Sequence, residues 1–183
     1  MTASRPLSNF HFIEEILRRR TEFTAERDLK NGSTLLHLAC IRGDVEMVMA
    51  LVGLDSQLCF VKDKMSMFPL QTAVIHGHGD VTRELIFTCP ESLQMLTSQK
   101  ETVFHLAAKN YQCDIAFEVL FEEAKKLNQK HLLHEQDDEG NTVLHIAGRK
   151  HTMLPSYKAP RNAHHALLLT VKALVALTGR KAG

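Results

Sequence analysis

The chain has no tryptophan, and aromatic residues make up 6% of its 183 positions. Surfaces that bind single-stranded nucleic acid stack bases on aromatic faces, so that class of function is disfavoured. An excess of charge of one sign is also missing: 22 Lys and Arg against 21 Asp and Glu leave a net charge of +1. No global field draws in nucleic acid or an anionic membrane. Cys40, Cys59, Cys89 and Cys113 form no C-x-x-C pair, which argues against a disulfide framework or a zinc site and for reduced thiols in a cytoplasmic setting. Long apolar runs are absent too. Ala166 to Leu177 is interrupted by Lys172 and falls short of the ~20 residues needed to cross a bilayer. Without an apolar stretch at the N-terminus, no signal peptide is expected.

Catalytic signatures are equally missing. There is no Gly-rich phosphate loop, no G-x-S-x-G elbow and no H-E-x-x-H. His76-x-His78, His131-x-x-His134 and His164-His165 cluster locally, but none joins Cys or carboxylates at a metal-ligand spacing. The expectation is no enzyme, no cofactor and no metal.

What the chain has instead is repetition. Thr34-Leu35-Leu36-His37-Leu38-Ala39 returns as Phe68-Pro69-Leu70-Gln71-Thr72-Ala73, as Thr102-Val103-Phe104-His105-Leu106-Ala107 and as Thr142-Val143-Leu144-His145-Ile146-Ala147. From His37 to Gln71, His105 and His145 the steps are 34, 34 and 40 residues. Thr34, Thr102 and Thr142 are suited to cap a helix, their hydroxyls accepting an orphaned backbone N–H. In the second copy Pro69 sits at the first helical position, where its fixed φ helps and its missing N–H costs nothing. Leu36, Leu70, Phe104 and Leu144 should face the core, and Ala39, Ala73, Ala107 and Ala147 should let the next repeat approach.

A period near 33 with the pattern T-P-L-H-x-A resembles the ankyrin repeat. The resemblance covers residues 9–151. It implies an all-α solenoid of stacked helix–turn–helix units with short β-turn or hairpin tips. Residues 1–8 read as a flexible terminus, and Phe12, Ile13, Ile16 and Leu17 recur at helical spacing in a capping helix over 9–27. Repeats follow at about 28–62, 63–96, 97–136 and 137–151. Gly43 and Gly77 fall where the interhelical turn needs a left-handed residue, and Pro90 ends a helix. Repeat three has Tyr111 at the Gly position and a longer second helix reaching Leu127. Residues 152–183 diverge: a short helix over 164–178 either docks as the missing second helix or forms an unrelated tail. By resemblance, Thr34, His37, Thr102, His105, Thr142 and His145 join adjacent turns by hydrogen bonds.

The family implies a non-enzymatic, monomeric module that binds a protein partner through its concave face, without nucleic acid and without inserting in a membrane. The candidate contacts are the tips Lys64, Met65, Met67, Gln99, Lys100, Glu101, Asp138 and Glu139. The inner helices add Arg42, Ile75, His76, Lys109 and Asn110. Met67 has an alternative, packing against the next turn.

Phe12-Ile13-Glu14-Glu15-Ile16-Leu17, the run Asp55 to Asp63 and Asp137-Asp138-Glu139-Gly140-Asn141-Thr142 resemble a plant family of ankyrin proteins. That family continues into a PGG domain and membrane-spanning helices and is linked to defence and stress signalling. The likeness implies a second reading, a cytosolic sensing domain of a membrane-anchored protein whose full-length relatives lie at the plasma membrane.

Overall fold

The computed structural model describes residues 32–110 and 114–153. The expected capping helix over 9–27, Tyr111 and the tail beyond Met153 lie outside the described residues.

Seven α-helices are described: α1 (Leu35–Arg42), α2 (Val45–Leu54), α3 (Pro69–Ile75), α4 (Gly79–Thr88), α5 (Val103–Lys109), α6 (Asp114–Lys126) and α7 (Val143–Met153). Short 3-10 turns at Ser56–Phe60, Pro90–Gln94 and Lys130–Leu133 follow α2, α4 and α6. No strand occurs among the described residues. The described residues form an all-α solenoid, as the ankyrin resemblance implies.

Local chemistry sets the element ends. The Thr34 and Thr102 hydroxyls accept the N–H of His37 and His105, each at 3.4 Å, and so start α1 and α5. Asp44 caps α2 by accepting the Met47 N–H at 3.0 Å. Gly43 (φ 72) and Gly77 (φ 75) take the left-handed conformation between the two helices of their repeats, a region that a Cβ makes costly. The same register position in repeat four is His151, and there the helix does not turn but continues to Met153. Pro90 cannot extend α4, which closes with the Cys89 N–H on the Leu85 carbonyl at 2.8 Å.

The helices form two rows. α1, α3, α5 and α7 lie side by side in an inner row, α2, α4 and α6 in an outer one, and the helices of each hairpin also pack together. Leu36, Leu70 and Phe104 are fully buried between the rows, and Phe104 meets Phe117 edge to face at 5.8 Å. Ala39, Ala73, Ala107 and Ala147 are buried at the helix contacts. Leu144 departs from the expected core position and is 42% exposed. In earlier repeats a second helix packs on the first, whereas among the described residues none packs on α7.

Candidate interaction surface

The motif histidines act as rungs between layers. The Thr34 N–H donates to His37 Nδ1 at 3.3 Å. Because a backbone N–H can only donate, Nδ1 is an acceptor and the ring proton sits on Nε2. That proton is directed at the Met67 carbonyl, 3.0 Å away in the next repeat. His105 does the same, with Nδ1 accepting from the Thr102 N–H at 3.2 Å and Nε2 donating to the Asn141 carbonyl at 3.0 Å. His145 accepts from the Thr142 N–H at 3.2 Å but stands exposed, at the end of the described stack.

Two further bridging side chains were not assigned from the motif, one within the second repeat and one between the first two. Gln71 accepts the Phe68 N–H at 3.1 Å and donates to the Met95 carbonyl at 2.9 Å, reproducing the histidine's two-way bonding with an amide. Its register with His37 was the available signal. His78, in register with the capping Asp44, instead donates from Nε2 to the Ile41 carbonyl of the previous repeat at 3.0 Å. The neighbouring His76 donates from Nδ1 to the Thr72 carbonyl at 2.9 Å, and the two rings stack. Both histidines are thus occupied by backbone carbonyls. Among the described residues no group of His, Cys, Asp and Glu is arranged to hold a metal ion.

The tips are closed turns built around one acceptor each. Asp63 Oδ1 accepts the N–H of Met65 and Met67 at 2.8 and 2.9 Å. Thr97 Oγ1 accepts those of Gln99 and Glu101 at 3.2 and 3.1 Å. Asp137 Oδ1 accepts those of Glu139 and Asn141 at 3.0 and 2.8 Å. Burial raises the Asp137 carboxyl, but the hydrogen bonds from Asn141 and Glu139 outweigh it and hold it below the ordinary carboxylate range. The third and fourth tips are zipped together: the Asp138 N–H donates to the Gln99 carbonyl at 3.0 Å, and Lys100 pairs with Asp138 at 3.0 Å.

This geometry divides the face. Arg42, Lys64, His76, Gln99, Lys100, Lys109, Asp138 and Glu139 are exposed, while Met67, Ile75 and Asn110 are half-buried. Met67 also lends its carbonyl to His37, and the Asn110 amide donates to the Leu106 carbonyl. Glu101 does not belong to the surface. It is 5% exposed, bonded by the Thr97 hydroxyl and by the Lys109 ammonium. A register stripe of Ile41, Ile75, Lys109 and Arg149 runs along the inner helices. Its two cations are drawn onto carboxylates, Lys109 on Glu101 and Arg149 within 3.9 Å of Glu139. The other half stays apolar. Met65 is 79% exposed at the second tip, and Ile41 is 38% exposed.

A family profile described as ankyrin repeats in three copies matches residues 1–94. The chain belongs to the ankyrin repeat family. The array's fold is shared by the crystal structure of EF0377, an ankyrin repeat protein, with a TM-score of 0.68 at 18% identity over 90% of this chain and 76% of that one. Among curated proteins, the chain is 32% identical over 84 residues, 46% of its length, to the human SMC5-SMC6 complex localization factor protein 1. It is 35% identical over 60 residues, 33% of its length, to the mouse protein of the same name. The matches span 8% and 6% of those two relatives.

Proposed function

We propose that the array binds a protein partner reversibly through the apolar half of its concave face, as a monomeric and non-enzymatic module. The observation that carries this reading is the contrast along the face. The third and fourth repeats pair their charges within and between themselves, whereas the first two present exposed Met65 and Ile41 and half-buried Ile75. A flexible thioether adapts to an apolar partner, and Arg42, Lys64 and His76 supply a polar rim. The matching segment of the curated relatives lies in proteins named for localising a complex, in keeping with a recruiting role. The test is pulldown from native extract followed by titration of the captured partner. Met65→Asp with Ile75→Asp should weaken binding roughly 30-fold or more, as loss of a hot spot does. Lys100→Ala with Asp138→Ala should leave it within about threefold. Equal binding by all three proteins would overturn the reading.

A second reading rests on the resemblance to plant ankyrin–PGG proteins. In it the array is the cytosolic sensing part of a longer membrane-anchored chain acting in defence or stress signalling. No described helix is long and apolar enough to cross a membrane, so the anchor would lie in additional sequence. Recovery of the native polypeptide from the membrane fraction at a mass above 20.6 kDa would favour it, and recovery at that mass from the soluble fraction would count against it.

A further inference from the structure

Cys59 lies in the 3-10 turn after α2, and Cys89 caps the C-terminus of α4. The thiols come from adjacent repeats, 30 positions apart in sequence, and their Sγ atoms stand 2.7 Å apart. That is well inside an ordinary non-bonded carbon contact of ~3.5–4.0 Å. It exceeds a disulfide bond of about 2.05 Å by roughly 0.7 Å. Both side chains are buried, at 1% and 3% exposure, and the Cys89 thiol also faces the Ser56 carbonyl at 3.8 Å. The pair therefore ties the turn leaving the first repeat to the end of the second helix of the next.

We propose that Cys59 and Cys89 form a covalent modification site, which a two-electron oxidant of the peroxide class converts to a disulfide linking the first two repeats. The Cys89 thiolate attacks one peroxide oxygen, the O–O bond breaks and hydroxide leaves, giving a sulfenic acid. The Cys59 thiol then attacks that sulfur; the S–S bond forms, the S–O bond breaks, and the oxygen leaves with the Cys59 proton as water. The two sulfurs lose two electrons, the hydroxide of the first step takes up the proton Cys89 released, and the peroxide ends as two waters. Burial raises both thiols, while at Cys89 the sulfur–sulfur contact with Cys59 works against it and the Glu91 charge adds to it. Cys89 is accordingly the first nucleophile. Burial and scarce thiolate make the reaction slow.

The test uses the full chain, reduced, freed of reductant and treated with hydrogen peroxide. Remaining thiols are alkylated in denaturant and the peptides are mapped by mass. A dithiothreitol-sensitive peptide joining Cys59 to Cys89 is expected, with Cys40, buried in the core, recovered alkylated. The thermal midpoint should rise by roughly 6–12 °C over the reduced chain, a rise absent from Cys89→Ser. Recovery of Cys59 and Cys89 unlinked, or linked to Cys40 or Cys113 instead, would overturn the proposal. Peptide mapping of the unsubstituted chain decides this even if Cys89→Ser fails to fold.

Discussion

Asp137 holds a whole tip through one carboxylate. Oδ1 takes the N–H groups of Glu139 and Asn141, and the Asn141 amide reaches both carboxylate oxygens at 3.1 and 3.2 Å. Burial alone would raise this carboxyl, but the donors prevail and lower it. The sign of the pH effect follows from that direction. A carboxyl depressed in the folded state stabilises fully above its unfolded value of about 3.9, and the contribution is lost as pH falls through the folded value. Asp137→Asn keeps an acceptor oxygen and removes the charge. Chemical unfolding at neutral pH should show a loss of about 1–2 kcal/mol, the worth of a charge-assisted bond less what the amide retains. Below about pH 4 the variant and the parent should converge as the parent's carboxylate is protonated. A gap that stays constant as pH falls would show that the charge is not what holds the turn.

At the scale of the element, α1 and α5 are each fixed by a histidine that serves its own cap and the next repeat at once. Removing His105 would orphan the Thr102 N–H, leave the Asn141 carbonyl with the Asp137 N–H alone, and open a void among buried neighbours. His105→Ala should therefore cost about 2–4 kcal/mol in urea unfolding. Gln71 shows that an amide can fill the same register, so His105→Gln should recover at least half of that loss. Equal destabilisation by both substitutions would mean that ring packing, not bonding, is the histidine's contribution. The inner-helix starts, the paired helices and the Gly43 turn were legible in the sequence because each depends on chemistry within a few residues. What was not legible depends on neighbours across the stack. Glu101 sits in a tip and reads as surface, yet Thr97 and Lys109 enclose it. Leu144 repeats Leu36 in the motif, yet burial of that position needs a second helix packed alongside. His78 reads as half of a metal-like pair, and only the approach of Ile41 shows its use. The surface split into paired charge and apolar halves was invisible for the same reason, since no local pattern specifies which tip meets which.

At the scale of the molecule, the main helix contacts among the described residues join each layer to the layers beside it, and the junctions are not alike. The first two repeats share the His37–Met67 and His78–Ile41 bonds. The last two share His105–Asn141, the Asp138–Gln99 backbone bond and the Lys100–Asp138 pair. The Gln71–Met95 bond stays within the second repeat, and the second and third are joined by packing of α3 on α5 and α4 on α6. In such a one-dimensional array stability is a sum of unit and nearest-neighbour terms, so damage at this junction should stay on one side of it. Phe104 is fully buried in the third repeat, edge-on to Phe117, and its truncation to alanine should cost about 3–5 kcal/mol. Native-state hydrogen exchange of Phe104→Ala should lose protection in α5, α6 and α7, while α1 to α3 keep theirs within about 1 kcal/mol. An even loss from α1 to α7 would instead show one cooperative unit. The difference bears on binding: in a divisible array the apolar half around Met65 keeps its shape when the far end opens, and in a single unit it does not.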